Sequence, residues 1–322
     1  MSDDRTHRPP RLRWRAGIRD GPALAHIRHD SAPDADIFAC PLRWLAGDFD
    51  AETWQLDGDL TQGTHHGWHY RRSGDLVFAA RHVDDGDGPD PQAVQQIAHD
   101  AYRQLFALQG ELGLRHVQRI WHWLSSVTAG AGDDQRYQRF CRGRAQALDT
   151  PGQPMTTLPP ATLVDSARRG VRLHVLLGER AIEAVENPRQ ISAYDYPRAY
   201  GVRAPAFARA GIVTLADTPY LLISGTASIV GHASRHIGDV AAQSDEALTN
   251  VAAVIEAAAH RIGPRRLTEL ECIKAYLRHP EDAPVVHAVL RRRLPGVAVA
   301  LLHAPLCRDD LLVEFEAQMR LL

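Results

Sequence analysis

Two stretches of this chain carry the same order of elements, and that repetition constrains the fold more than any other feature of the sequence. In the first, residues 76–80 read as a strand, 91–109 as a helix, 117–124 as an apolar and aromatic strand, 135–147 as a second helix and 171–177 as a further strand. In the second, the series is a strand at 220–224, a helix at 245–260, a strand at 270–277, a short helix at 283–293, and strands at 297–302 and 311–316. Helical spacing of Val94, Ile97, Ala98, Ala101, Leu105 and Phe106 supports the first helix; Leu248, Val251, Val254 and Ile255 do the same for its counterpart. The second stretch reads β–α–β–α–β–β over about one hundred residues and the first, one strand short, is read as the same unit, which must cover one face of its sheet with helices. The fold class that follows is α+β, with two sheet-plus-helix halves in one chain. The expected division is an N-terminal extension (1–40), a first half (41–185), a connecting segment (186–217) and a second half (218–322).

The last strand of the second copy holds the most chemistry. In Leu311-Leu312-Val313-Glu314-Phe315-Glu316, alternation places Glu314 and Glu316 on one face with Leu312. A carboxylate on a largely apolar strand costs free energy unless it is solvated, paired or used. Pattern alone reads this as an edge strand with one wet face. Cys307 lies just upstream, before the turn-like Arg308-Asp309-Asp310, so a thiol and a carboxylate are expected to border one cavity. The first copy has Leu176 and Leu177 near the position of Glu314, which points to a single site where the copies meet.

Composition removes several function classes. A net charge of -2 gives no bulk attraction to nucleic acid or membrane. The polar N-terminus has no apolar leader and no run of about 18 apolar residues occurs, so a cytoplasmic enzyme or binding protein is expected. Cys40, Cys141, Cys272 and Cys307 form no C-x-x-C pair, which argues against structural zinc, and four cysteines in a chain of this size argue against a disulfide framework. Neither His65, His66 and His69 nor His232 and His236 are completed to a metal set. G-x-G-x-x-G, G-x-S-x-G and Walker motifs are absent. Lysine occurs once, as Lys274, so an anion site must be built from guanidinium forks.

Three segments fall outside the repeat. Residues 186–209 hold four arginines, three tyrosines and three prolines, a composition suited to a rigid loop closing over an anionic ring-like ligand. Gly225 to His236 is rich in small residues and lets a ligand approach the backbone. The cluster Arg136-Tyr-Gln-Arg-Phe-Cys-Arg-Gly-Arg144 reads as a solvated basic helix face.

The second copy resembles the Rid-type (YjgF-like, chorismate mutase-like) enamine deaminase fold, through the Leu-Ile-Ser-Gly strand end, the 245–260 helix and the closing Leu-Val-Glu-Phe-Glu-Ala317 strand. The strand before the closing one lacks the arginine that typical members place there to grip a substrate carboxylate, which argues against simple enamine or imine deamination. From about residue 41 onward the chain resembles the chorismatases more specifically. The matching segments are Glu186-Asn-Pro-Arg-Gln-Ile-Ser-Ala-Tyr194, Tyr196-Pro-Arg-Ala-Tyr-Gly-Val-Arg203, Ser224-Gly-Thr-Ala-Ser-Ile-Val-Gly-His232 and Cys307-Arg-Asp-Asp-Leu-Leu-Val-Glu314.

That resemblance implies two Rid-like halves in one chain and a cofactor-free enzyme that splits chorismate into pyruvate and a cyclic carboxylate. It implies Glu314 as proton donor to the enol ether. Cys307 and Ala227 then resemble the bifunctional members of the family that release 3- and 4-hydroxybenzoate. The two substrate carboxylates call for arginine clamps, for which Arg144, Arg203 and Arg209 are the candidates, with Tyr200 as hydrogen-bonding partner. Hydrolysis of chorismate to a dihydroxycyclohexadiene carboxylate, deamination of Rid-type substrates and a non-catalytic sensor are the alternatives. No metal or cofactor is expected, and the chain is expected to be a monomer or small homo-oligomer.

Overall fold

The structure is a computed structural model that describes residues 12–17, 21, 23–29, 36–56, 58–86, 90–152, 155 and 157–321. The N-terminal stretch read above as lacking an apolar leader lies outside the described residues. The chain opens with β1 (Leu12–Ala16), β2 (Ala23–Arg28), β3 (Arg43–Gly47) and β4 (Ala51–Leu56). A hairpin, β5 (Thr61–His65) and β6 (Trp68–Ser73), then leads into β7 (Leu76–Val83), α1 (Pro91–Leu112), β8 (His116–Leu124), α2 (Arg136–Leu148), β9 (Ala161–Val164) and β10 (Val171–Gly178). The second round runs through β11 (Glu183–Val185), β12 (Ala210–Leu215), β13 (Thr218–Ala227), the short β14 (Ile229–Val230) and β15 (Ala233–Ser234), and α3 (Val240–Ile262). It closes with β16 (Cys272–Leu277), α4 (Ala283–Arg293), β17 (Ala298–His303) and β18 (Val313–Arg320).

The helices form where the spacing predicts, with ends set by local chemistry. Asp90 caps α1 by accepting the Gln92 N–H at 2.8 Å, Pro91 fills the first turn, and left-handed Gly113 (φ 69°) ends the helix. Asp239 caps α3 in the same way, and the helix begins at Val240, five residues before the expected start at Asp245. Its first turn, Val-Ala-Ala-Gln, carries too little apolar periodicity to be read without the cap.

The sheets confirm the repeat strand by strand. Their orders are β5-β6-β7-β10-β8-β9 and β11-β12-β13-β18-β16-β17-β3. In each, only the β8–β9 or β16–β17 pair is parallel, apart from which neighbours run antiparallel. β9, which was absent from the reading of the first copy, supplies its missing strand. Hydrogen bonding does not follow the expected boundary at residue 41, because β3 pairs with β17 and extends the second sheet. Residues 12–56 also contribute a third sheet, β1-β4-β2.

Two expectations are corrected. β18 is central, bonded to β13 and β16, and not an edge strand with a wet face; Glu314 and Glu316 are both buried. The match of Leu176 and Leu177 to Glu314 is off in register. Counting from the first rung of each closing strand (Val171 opposite Leu124, Val313 opposite Leu277), Arg172 stands where Glu314 does and His174 where Glu316 does. The first copy lacks the acid, but that face of β10 is not purely apolar.

Each sheet has one face on its own helices: α1 and α2 pack on the first through Val94, Tyr102 and Phe140, while α3 and α4 pack on the second through Leu248, Val251 and Leu290. The other faces share a central core with the N-terminal sheet, where Trp14 and Trp54 meet Trp121 and Tyr276. None of the described helices is long and apolar enough to cross a membrane.

Candidate active site

The site is built at the seam between the two sheets. Between Ile223 and Thr226, β13 gains one residue relative to β18, a bulge that turns Ser224 and Gly225 away from regular pairing. β9 bonds to the bulge: the Ala161 N–H donates to the Ser224 side-chain Oγ at 2.9 Å, and the Gly225 N–H donates to Thr162 Oγ1 at 3.1 Å. Beside this bulge, Ala227 stands opposite Glu314. Gly225 has no side chain for a steric reason, since a Cβ there would overlap Glu314 Oε1.

Glu314 forms part of the wall of a cavity of about 560 Å³ whose lining comes from both halves and from the connecting segment. Its carboxyl is displaced upward to about 8, first by burial and then by the negative charge of Glu316, with Arg209 and Arg119 pulling the other way. The group is thus an acid at neutral pH. Glu316 is the opposite case. Burial works against its charge, yet Lys274 at 2.9 Å, Arg119 at 3.0 Å and hydrogen bonds from Trp121 Nε1, Thr162 Oγ1 and Tyr276 Oη hold it well below the usual carboxylate range.

Two buried guanidiniums face the same cavity. Arg144, 3% exposed, comes from α2, and Arg209, 4% exposed, from the end of the connecting segment. Arg209 donates to Ile191 O and Tyr196 Oη, both at 2.9 Å. The Nε of each arginine is buried without a partner, and neither forms an ion pair with a carboxylate of the described residues. Buried, uncompensated guanidinium donors are costly unless an anion completes them. Arg308 lies over the Tyr200 ring at 4.0 Å and the Tyr196 ring at 5.2 Å, and donates to His232 O at 2.8 Å. These stacks fasten the connecting segment over the cavity.

Cys307 also lines the cavity. Burial, and then the neighbouring Glu314, push its thiol up to about 12, so it is a neutral S–H and a poor nucleophile. His122, from β8, is a neutral neighbour: burial takes it down to about 3, and its ring is held by Tyr102 Oη at 2.8 Å and Thr162 O at 2.9 Å.

Of the residues singled out in the sequence, the structure brings Glu314, Cys307, Arg144, Tyr200, Arg209 and Ala227 to one cavity. Arg203 lies apart: exposed, its guanidinium pairs with Asp149 at 2.6 Å. The Arg136–Arg144 cluster is not a solvated face. Arg136 is fully buried and bonded to Ser125 O and Asp85, and Arg144 points inward. Unanticipated cavity residues include Tyr137, Thr162, His122 and Arg308. Tyr137, Cys141 and Arg144 follow i, i+4, i+7 spacing on α2, a signal that the charge run concealed. Thr162 carries no signal, because β9 is too short to be read.

Known proteins align along this same framework. A profile described as "Chorismatase FkbO/Hyg5-like, N-terminal" matches residues 52–177. A chorismatase of Streptomyces rapamycinicus is 38% identical over 276 residues, covering 83% of this chain and 81% of that protein. A 3-hydroxybenzoate synthase of Streptomyces hygroscopicus is 35% identical over 277 residues, covering 83% and 80%. The crystal structure of a chorismatase superposes with a TM-score of 0.82 at 30% identity, covering 96% of this chain and 98% of the other. By that extent of similarity, the chain belongs to the chorismatase family of enzymes.

Proposed function

We propose that the protein cleaves chorismate, without a cofactor, to pyruvate and hydroxybenzoate, with Glu314 as general acid. One observation carries this reading: a buried carboxyl raised to about 8 borders a cavity lined by two buried guanidiniums whose Nε donors have no partner. Chorismate brings what these groups lack, namely two carboxylates and an enol ether that needs a proton on carbon. Arg144 and Arg209 are suited to the carboxylates, and Tyr200, stacked under Arg308, to a hydroxyl or carboxylate oxygen.

Protonation of the methylene by Glu314 leaves an oxocarbenium ion and an anionic Glu314. The substrate's own ring hydroxyl captures the cation as a cyclic ketal and gives up its proton. One ring C–O bond then breaks with loss of the proton on the neighbouring ring carbon, and the hemiketal so formed collapses to pyruvate and a phenol whose oxygen takes up the hydroxyl's proton. Retaining the ether oxygen on the ring gives the 3-isomer; retaining the hydroxyl oxygen gives the 4-isomer. The lost ring proton restores the acid, so the reaction balances without water or metal. Cys307, as a neutral thiol, and Ala227 are suited to shaping the wall against which this choice is made. Incubation with chorismate followed by chromatography tests the reading. Pyruvate with 3-hydroxybenzoate, accompanied by 4-hydroxybenzoate, is expected; unchanged chorismate, or a dihydrodiol as the sole ring product, overturns it.

A further inference from the structure

Glu316 does not line the cavity, yet hydrogen bonds fill the acceptor sites of its two oxygens and two cations sit against it. Oε1 accepts from Trp121 Nε1 at 2.7 Å and Lys274 Nζ at 2.9 Å. Oε2 accepts from Thr162 Oγ1 at 2.7 Å and Tyr276 Oη at 2.8 Å, and Arg119, which donates to Thr162 Oγ1, lies 3.0 Å from it as an ion pair. A carboxylate has about four acceptor sites, so a proton on Glu316 would have to expel one of these donors. With Lys274 and Arg119 both against it, the geometry favours the anion.

Its charge is anchored from three parts of the chain. Trp121 and Arg119 come from β8 and Thr162 from β9, all in the first half. Lys274 and Tyr276 come from β16 of the second half. Lys274, the only lysine of the chain, reaches past Glu316 to Glu52 Oε1 at 2.9 Å on β4 of the N-terminal sheet, and Glu52 Oε2 accepts Trp14 Nε1 at 2.8 Å. Glu316 lies two positions from Glu314 on the same face of β18.

We propose that Glu316 is a positioning residue for the reaction: its fixed negative charge, locked in place by Lys274 and Arg119, keeps Glu314 a proton donor instead of a carboxylate. This rests on Glu314 being the general acid. The other groups facing Glu314 do not supply that bias. Arg209 and, from β8, Arg119 favour the ionised form. Arg144 on α2 and Arg308 before β18 are cationic, whereas His122 and Cys307 are neutral at neutral pH. From β16, Tyr276 gives its hydroxyl to Glu316, and β13 presents Gly225 and Ala227. Burial raises Glu314 on its own, and Glu316 is the charge that acts in the same direction.

The test is the pH profile of pyruvate release from chorismate by wild type, Glu314→Gln, Glu316→Gln and Glu316→Asp. In Glu316→Gln the alkaline fall in kcat should move to lower pH by about one unit or more, with the acid-side plateau within several-fold of wild type. Glu316→Asp, which keeps the charge, should return the fall to the wild-type position. A plateau loss with an unmoved limb would make Glu316 merely structural and overturn the proposal. The parent reading fails separately, if wild type releases no pyruvate or Glu314→Gln is fully active. Should Glu316→Gln not fold, infrared titration of wild type decides. The carboxylic acid band that Glu314→Gln removes should persist at neutral pH, with no second acid band from Glu316; an acid band from Glu316 overturns the inference, and absence of the Glu314 band overturns the parent reading.

Discussion

Glu314 Oε1 occupies the space that a Cβ on Gly225 would fill. The bulge in β13 brings that backbone against the acid, and the Thr162 hydroxyl holds it there. Gly225→Ala should therefore displace the carboxyl without exposing new surface. A misplacement of about 1 Å in a catalytic group costs on the order of 10²-fold. Pyruvate release is expected to fall by at least that factor, while the thermal midpoint drops by only a few degrees. Full activity in Gly225→Ala would show that Glu314 does not need this position.

The raised Glu314 has consequences for both rate and stability. Activity requires its protonated form, so kcat should be level at lower pH and fall as pH rises through about 8. Stability follows the same group. Its unfolded value is near 4.5 and its folded value about 8, so its contribution is full below 4.5 and lost as pH rises through 8. Glu314→Gln cannot ionise and escapes that loss. Relative to wild type it should be inactive by about 10²-fold or more, and its thermal midpoint should exceed wild type by more at about pH 9 than at about pH 5.

Arg144 and Arg209 should act differently from Arg203. Replacing either buried arginine by Gln removes a charged clamp, and lysine should not restore it because a point charge cannot reproduce a fork. Losses in kcat/KM of about 10²-fold or more are expected for Arg144→Gln and Arg209→Gln. Arg203→Ala breaks an exposed pair with Asp149, of a kind worth roughly 0–1 kcal/mol, and should change kcat/KM less than about twofold. Equal losses at all three positions would refute the assignment.

The repeat was legible because it rests on alternation and helical spacing, whereas Arg144, Tyr200, Arg209 and Ala227 were reached through the family resemblance. The two copies, the closing strand and the acid on it follow from periods of two and 3.6 residues. Illegible features have physical causes. β5, with Thr-Gln-Gly-Thr-His, is a polar edge strand without an apolar face. Burial of Glu314 and Glu316 depends on β16 and β13 flanking β18, a nonlocal fact that no local pattern encodes. Arg203 and Arg209 look alike in sequence. One meets Asp149 at the surface and the other an apolar seam, and only the folded chain distinguishes them.

Cys307 offers a chemical test of its protonation. With the thiol pushed up to about 12, little thiolate exists at neutral pH. Alkylation of Cys307 at about pH 8 should be many-fold slower than that of a free cysteine, whose ordinary value is about 8.5. Cys307→Ala should alter the ratio of hydroxybenzoate isomers more than total pyruvate release. Rapid alkylation together with an unchanged product ratio would remove the thiol from any role in steering.

Lys274 stands between two buried carboxylates, at 2.9 Å from each. Burial opposes its charge, but Glu316 and Glu52 outweigh it and hold the ammonium above its ordinary value. Lys274→Met would leave Glu52 and Glu316 facing each other's charge across the central core, and removing one partner of a buried pair typically costs about 3–5 kcal/mol. The urea midpoint should fall accordingly. Adding Glu52→Gln should recover part of that loss, because one of the two stranded charges is then gone; Trp14 Nε1 still finds an acceptor in the amide oxygen. A double variant no more stable than Lys274→Met alone would mean that the cost lies in lost packing of the lysine stem and not in uncompensated charge.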